Sequence, residues 1–184
     1  MTDSLTRAAE PPDSDLLDRW KRGDQRAATL LVARHADAVA RFAASVGARG
    51  EVGELVQDTF VKAFASLDGF RGESAFRTWL FTIARRLVVD RRRSLKRRGE
   101  EVAVEDADVR TEYDALDAMV GDETAGRVRD AMAMLTPTQR EVFSLRVAEG
   151  MSYRDIAEVA GTTEGAARVH YHNAMRVIKE YVHD

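Results

Sequence analysis

The stretch from Phe70 to Arg98 constrains the fold most, because it joins a helical apolar stripe to a dense set of cations. If a helix begins near Ser74, a good N-cap residue after Gly72, successive side chains turn by about 100°. That spacing places on one narrow stripe Phe76, Leu80, Ile83 and Leu87. Away from the stripe lie two rows of cations, Arg85, Arg92 and Lys96 in one and Arg86, Arg93 and Arg97 in the other. Because the stripe must be buried against other helices, the stretch predicts a helical bundle with one basic face.

This basic face suits nucleic acid, since a phosphate backbone rewards several cations at once through counterion release. Aromatic side chains lie close to the arginines in sequence, and unpaired bases stack on aromatic rings. They are Phe70, Phe76, Trp79 and Phe81. A solvated helix end with ordinary core aromatics would show the same pattern, and charge alone favours that interpretation. The rest of the chain has to decide between the two.

Charge is unevenly distributed along the 184 residues, whose net charge is −3. Residues 1–99 carry 19 Lys and Arg against 13 Asp and Glu, residues 100–123 carry one Arg against ten acids, and residues 124–184 carry eight of each sign. A basic, an acidic and a neutral block in succession predict two domains joined by a charged tether. We expect a disordered N-terminus over residues 1–12, one domain over 13–98, a flexible acidic linker over 99–123 and a second domain over 124–184.

Composition also bears on several classes of function. The chain has no cysteine, which excludes disulfides and thiolate zinc sites. Its N-terminus is polar and acidic, unlike a signal peptide, and no run of about 18 apolar residues could span a membrane. The acids concentrate in the linker, which cannot preorganise a catalytic site, and His170 and His172 do not converge on one metal. We therefore expect a cytoplasmic protein without membrane insertion that is not an enzyme and uses no metal or cofactor.

The first domain is predicted to contain three helices before the basic one, over about 13–23, 24–46 and 52–66, with Asp24 capping the second. The apolar side chains expected to be buried on them are Leu16, Leu17, Trp20, Leu30, Leu31, Val39, Phe42, Val46, Val52, Leu55, Val56, Phe60 and Ala63. The outer face of the third helix carries Glu54, Gln57, Asp58 and Val61. Since no long alternating β pattern occurs, the predicted fold class is all-α, with two small helical domains.

The second domain carries the sharpest local signals. Helices are predicted to begin with a capping box and a first-turn proline at Thr136, a cap at Ser152 and a cap at Thr163, and Gly150 and Gly161 end the first two. The last helix, to about residue 181, has an apolar stripe of Ala167, Tyr171, Ala174 and Ile178. Its outer face and flanks carry Arg168, Val169, His172, Asn173 and Arg176. This outline predicts a helix-turn-helix whose second helix reads the major groove, although a plain helical hairpin has a similar pattern.

Two segments resemble those of one protein family. GELVQDTFVKAFASLDGFRGESAFRTWLFTIARRLVVDRRR is similar to region two of the bacterial extracytoplasmic-function (ECF) sigma factors, and LTPTQREVFSLRVAEGMSYRDIAEVAGTTEGAARVHYHNAMRVIK is similar to their region four. The segment FRGESAFRTWL is specific, whereas the helix-turn-helix is shared with other regulators. The resemblance covers nearly the whole chain after residue 12. It implies a dissociable subunit that gives RNA polymerase its promoter specificity.

The resemblance also implies which residues meet each partner. The coiled coil of the polymerase β′ subunit would bind Glu54, Gln57, Asp58 and Val61, and region four would meet the β flap. The loop from Leu67 to Arg71 would hold a base flipped out of the minus-ten element. Minus-ten DNA would meet Phe70, Arg71, Arg77, Trp79, Arg85, Arg86, Arg92 and Arg93. The minus-thirty-five element would meet Thr163, Arg168, Val169, His172 and Asn173, with Arg176 on its backbone. An anti-sigma factor is a further implied partner.

Two features depart from the family pattern, and two other interpretations stay open. Arg86 stands where the family often has asparagine, and the last helix has fewer cations than usual. A LuxR-like regulator has a similar last helix, but no α/β pattern of a sensory domain precedes this one. A decoy that binds only an anti-sigma factor would have no need of the basic face. We also hypothesise that the acidic linker, with a span of roughly 25–30 Å, folds back onto the basic face and competes with DNA.

Overall fold

The computed structural model describes residues 10–47, 52–97 and 122–183, and within these ranges all regular structure is helical. This agrees with the predicted all-α fold class. The chain divides into two compact units, residues 1–35 and residues 36–184, which are described separately below. Most of the predicted acidic linker and all but the last three residues of the predicted disordered N-terminus lie outside the described ranges.

The first unit contains α1 (Asp13–Lys21) and the first part of α2 (Gln25–Ser45). Asp24 caps α2 as predicted, because its Oδ1 accepts the Arg26 N–H at 3.0 Å. Arg19 on α1 also donates to Asp24, at 2.8 Å, so one carboxylate joins the two helices at their turn. Leu16 and Leu17 are buried as expected, whereas Leu30, predicted to be inward, is 45% exposed. The apolar spacing alone could not tell which side of α2 is covered.

The second unit begins with the end of α2 and continues through α3 (Val52–Ala65), a 3₁₀ turn at Leu67–Gly69 and α4 (Phe76–Arg97). Helix α4 starts two residues later than predicted, since the Ala75 carbonyl accepts its first N–H bond from Trp79 at 3.1 Å. The predicted stripe of α4 is buried, as are further side chains beside it. The buried apolar residues of α4 are Phe76, Leu80, Phe81, Ile83, Ala84, Leu87 and Val88. Helix α4 therefore anchors the unit's core, and α3 packs along it.

The remaining helices of this unit are α5 (Asp122–Ala133), α6 (Pro137–Val147), α7 (Tyr153–Ala160) and α8 (Glu164–His183). The capping box at Thr136 is present, and the hydroxyls at Ser152 and Thr163 accept N–H bonds at 3.1 Å each. Helix α5 was not predicted. It packs on α8 around a cluster of Ala131, Met132, Leu135, Phe143, Ala174 and Ile178.

Candidate nucleic-acid interface

Helices α7 and α8 form a helix-turn-helix with a sharp turn at Gly161. Gly161 has φ of +63°, a left-handed conformation that glycine adopts without strain, and its N–H bonds back to α7. On α8 the side chains of Ala167, Ala174 and Ile178 are buried, which fixes the opposite face toward solvent. The turn and the buried stripe thus present α8 as the outward helix of the pair.

The side chains predicted to read the minus-thirty-five element lie mainly on that outward face. Val169 is 58% exposed and offers an aliphatic surface to solvent. Asn173 is half-buried, and so is Tyr171 of the apolar stripe. The Thr163 hydroxyl caps α8 by accepting the Ala166 N–H. The exposed members of the set are Thr163, Arg168, Val169, His172 and Arg176. The surface therefore offers two cations, an imidazole and an apolar contact to a ligand in front of α8.

Arg168 is held in place by two neighbours. Its Nη2 donates to Glu164 Oε1 one turn earlier at 2.5 Å, and its guanidinium carbon lies 4.6 Å from the ring centroid of Tyr153 on α7. The first contact is a charge-assisted hydrogen bond and the second is within the range of a cation–π contact. Arg168 thus contacts one residue of its own helix and one residue of α7.

The basic face of α4 is partly exposed and partly occupied by groups of the chain itself. Arg71 in the preceding loop and Arg86 and Arg93 on the helix are exposed. The guanidinium of Arg92 is half-buried and donates to the Val46 carbonyl at the end of α2. Arg92, predicted as a DNA contact, thus also serves to hold the end of α2 against α4.

Arg77 on α4 is paired with a carboxylate from the opposite part of the unit. It donates to the side chain of Glu149 and, at 2.8 Å, to the Glu149 carbonyl just after α6. Arg41 on α2 donates to the same carboxylate at 3.1 Å. The Glu149 side chain is only 1% exposed, so two arginines surround a buried acid. A buried charge with two charge-assisted partners is well satisfied.

Arg85 on α4 is paired in the same way with Glu141 on α6, from Nε to Oε1 at 2.5 Å. Glu141 is buried, and burial raises the pKa of its carboxyl, an effect that outweighs the opposing attraction of Arg85 and Arg92. Arg85 also reaches the turn of the helix-turn-helix, because a Cβ on Gly161 would lie 3.8 Å from its Nη1. Helix α4 packs directly against α7 at this place.

The aromatic residues near the start of α4 fall into two groups. Phe76 and Phe81 are core residues, and Phe81 meets Phe42 edge-on with ring centroids 5.2 Å apart. The idea that these two rings offer a stacking surface to bases is therefore wrong. Phe70 and Trp79 are half-buried and lie against each other at 5.0 Å. Both keep part of their surface accessible beside the loop that contains Arg71.

The outer face of α3 is exposed, as predicted for Glu54, Gln57, Asp58 and Val61. Val61 is 60% exposed, and Asp58 accepts a bond from Arg91 on α4 at 2.8 Å. This face therefore combines an uncovered aliphatic side chain with acidic and amide groups.

The sequence reasoning missed four residues of this surface, Arg41, Glu141, Glu149 and Tyr153. The sequence did contain an indication that Glu141 is buried, because it lies one turn before Leu145 and next to Val142 on the apolar side of α6. A charge in such a stripe is unusual and indicates a buried partner. The pairing itself, between residues 56 positions apart, depends on tertiary packing that no local pattern reports.

No group of three potential ligands among the described side chains is arranged to hold a metal ion. None of the helices in the described ranges combines the length and apolar character needed to cross a bilayer.

Comparison with known proteins identifies both halves of the chain. The model of sigma-70 region 2 matches residues 31–98, and that of sigma-70 region 4 matches residues 125–178. The chain is 33% identical over 184 residues to the ECF RNA polymerase sigma-E factor of Haemophilus influenzae, covering 95% of this chain and 97% of that protein. It is 31% identical over 179 residues to the protein of the same name from Escherichia coli K12, covering 92% and 94%.

Two solved structures are similar along most of their length. CnrH, solved in complex with the cytosolic domain of CnrY, has 31% sequence identity and a TM-score of 0.64, covering 91% of this chain and 95% of that one. The sigma factor RpoE, solved with the anti-sigma factor NepR from Bartonella quintana, has 26% identity and a TM-score of 0.66, covering 84% and 95%.

Proposed function

The chain belongs to the ECF sigma factors, which direct RNA polymerase to particular promoters, and on that premise we propose which of its surfaces perform each step. The outward face of α8 reads the minus-thirty-five element. The loop containing Phe70 and Arg71, with the basic face of α4, holds the minus-ten strand. The outer face of α3 binds core polymerase.

The exposed set on α8 is the observation that carries this proposal. Arg168 and His172 lie in the N-terminal half of α8, close to the turn after α7, where side chains of a recognition helix meet base edges. Arg176 lies one turn further along, where it would meet phosphate. Val169 is 58% exposed between them, and such a side chain can contact a thymine methyl. The row thus combines cations for phosphate and base edges with an apolar group for a thymine methyl.

The minus-ten surface is available in part. Arg71, Arg86 and Arg93 are exposed and can attract phosphates from solution. Arg77 and Arg85 must break their ion pairs with Glu149 and Glu141 before they can bind DNA. Phe70 and Trp79 supply the accessible aromatic surface on which an unstacked base can rest. Arg86 stands where the family often has asparagine and adds a positive charge. Binding to the minus-ten element should therefore depend more on phosphate contacts than on hydrogen bonds from an asparagine amide.

The partners follow from these surfaces. Core polymerase would take the α3 face, region four would meet the β flap, and the protein would act in the cytoplasm, where transcription takes place. It serves as a specificity subunit rather than as a catalyst. An anti-sigma factor is a further proposed partner, supported by the two similar structures, in which CnrH is bound to CnrY and RpoE to NepR. The domain limits proposed for the two functions are residues 13–98 and 124–184.

Run-off transcription with core polymerase on a promoter library tests the proposal. The wild-type chain should yield transcripts from a small set of promoters with shared minus-thirty-five and minus-ten sequences. Val61→Glu should abolish these transcripts and pull-down of core, because it places a charge on the proposed contact face. Met134→Glu, at another aliphatic side chain that is 69% exposed, is the matched control and should keep both.

Two results would contradict the proposal. A wild-type protein that starts no transcript with core polymerase, and acts only when another sigma factor is added, would be a LuxR-like regulator. Full activity of a folded Val61→Glu variant would show that α3 is not the core-binding face. Circular dichroism checks that each variant is folded.

A further inference from the structure

We propose that Tyr153 is a positioning residue that holds the guanidinium of Arg168 in the orientation needed to read a base. The inference rests on the proposed function, in which Arg168 contacts the minus-thirty-five element. Tyr153 itself lies on α7, the helix that does not enter the groove, and is half-buried. Its part in recognition would therefore be exerted entirely through Arg168.

The ring of Tyr153 is fixed to the core by a chain of aromatic contacts. Phe143, a buried residue of α6, stacks on Tyr171 of α8 with centroids 6.3 Å apart and planes 15° apart. Tyr171 in turn meets Tyr153 edge-on at 5.9 Å. Offset-stacked and edge-on arrangements are the favourable geometries for aromatic pairs. The position of the Tyr153 ring is thus set by the domain core.

The backbone beneath the ring is fixed as well. Tyr153 is the first residue of α7, directly after the N-cap Ser152. The Ser152 hydroxyl accepts the Asp155 N–H at 3.1 Å and donates to the Asp155 carboxylate at 2.5 Å. A residue at a capped helix start has little backbone freedom. The Cα and the ring of Tyr153 are therefore both held in place, and the ring offers a fixed surface to the side chain of Arg168.

Arg168 uses this platform. Its guanidinium lies 4.6 Å from the ring centroid and donates to Glu164 at 2.5 Å, so an aromatic face and a carboxylate fix it from two elements. An exposed arginine otherwise samples many rotamers, and ordering it on binding costs free energy. A guanidinium that is already placed loses less freedom when it meets a base. Preorganisation of this kind raises affinity for the correct base more than for nonspecific DNA, where any cation position suffices.

A second arginine, Arg146 of α6, lies 4.8 Å from the same ring and donates to the Met151 carbonyl at 2.7 Å. Its half-buried side chain cannot reach DNA in place of Arg168 while it keeps that backbone bond. It adds a positive charge near the ring and holds the loop that leads into α7. The Tyr153 ring is therefore in contact with a structural arginine and with a DNA-reading one.

The experiment measures sequence preference by fluorescence anisotropy, as the ratio of affinities for the selected minus-thirty-five duplex and a scrambled duplex at one salt concentration. Tyr153→Leu should lower this ratio about twofold to fivefold, the value of a solvent-exposed cation–π contact, with little change on the scrambled duplex. Tyr153→Phe keeps the ring and should retain the wild-type ratio. Thermal unfolding of each variant checks that the domain remains folded.

A double-mutant cycle with Arg168→Ala separates positioning from a general structural role. In the Arg168→Ala background Tyr153→Leu should have no further effect on the ratio. Additive effects, an equal loss on both duplexes, or an unchanged ratio in folded Tyr153→Leu would overturn the positioning role and leave the reading by Arg168 intact. If Arg168→Ala alone leaves the preference unchanged, the proposed docking of α8 fails and the role of Tyr153 fails with it.

Discussion

At the scale of single residues, the acids that face the basic helix are unusual because they are buried. Glu141 has Arg85 as its direct partner and Arg92 nearby, yet burial is the largest influence on it and raises the pKa of its carboxyl. An ion pair of this kind is costly to desolvate, so it is weak evidence for stability in itself. What the structure does show is that this pair joins α4 to α6 through their side chains.

The raised pKa of Glu141 predicts a pH effect of definite sign. In the folded chain the carboxyl keeps its proton to a higher pH than in the unfolded chain, so the folded state binds more protons between the two pKa values. The contribution of this group to the free energy of unfolding should therefore rise as the pH falls from neutral toward the usual glutamate range, about 4.3.

Glu141→Gln removes the titrating carboxyl and keeps the size and shape of the side chain. Urea unfolding of both proteins should show that the wild type gains stability relative to the variant on acidification. A difference that stays constant or moves in favour of the variant would contradict the assignment.

At the scale of helices, the parts that the sequence predicted well are those set by neighbouring residues. The caps at Thr136, Ser152 and Thr163 and the turn at Gly161 each depend on at most four positions, and all are confirmed. Helix α5 was not predicted, although Val128, Ala131, Met132 and Leu135 follow a helical spacing, because its first residues belong to the acidic block whose composition predicts a linker. The partners of Arg77 and Arg85 were not predictable, since they come from elements 56 or more residues away.

The turn between α7 and α8 gives a prediction at this scale. Gly161→Ala should lower the free energy of unfolding by about 1–2 kcal/mol, because φ of +63° is unfavourable for a residue with a Cβ. The new methyl would meet Arg85 Nη1 at an ordinary 3.8 Å, so the cost comes from the backbone and not from a clash.

Gly165→Ala is the matched control for that change. Gly165 lies within α8, and a Cβ there meets nothing within 4 Å. It should leave stability unchanged or raise it by up to about 1 kcal/mol through helix propensity. Equal effects of the two substitutions in urea unfolding would show that the left-handed turn is not required.

At the scale of the whole second unit, the helix proposed to bind minus-ten DNA contacts the helix-turn-helix, because α4 packs against α7. Arg77 and Arg85 are held by Glu149 and Glu141 in this arrangement. The acidic linker hypothesis concerns the basic face of α4, which includes Arg85, but residues 98–121 lie outside the described ranges. The competing acids within the described part of the chain come from α6 and the residues just after it.

Single-stranded DNA and these glutamates should compete for the same cations. Glu149→Gln is expected to raise the affinity of the isolated protein for single-stranded minus-ten DNA about twofold to fivefold at low salt, because Arg77, whose side chain is 35% exposed, is released from the buried acid. The gain should shrink as salt rises, since screening weakens both the pair and the DNA contact.

Glu158→Gln makes the same change of net charge at an exposed position on α7 and is the matched control. Anisotropy with a labelled oligonucleotide measures both variants. Equal affinity of the two would mean that general charge, and not release of Arg77, governs binding.

The exposed face of α8 has a consequence for the order of events in time. Arg168, His172 and Arg176 are open to solvent in the same arrangement that occupies Arg77 and Arg85. Duplex DNA can therefore be captured in a single collision, at a rate that grows with its concentration. An unpaired strand can reach Arg77 and Arg85 only after their pairs with Glu149 and Glu141 separate, so its full engagement by these two residues cannot outrun that opening step. The arrangement thus favours engagement of the intact double helix before engagement of the melted one.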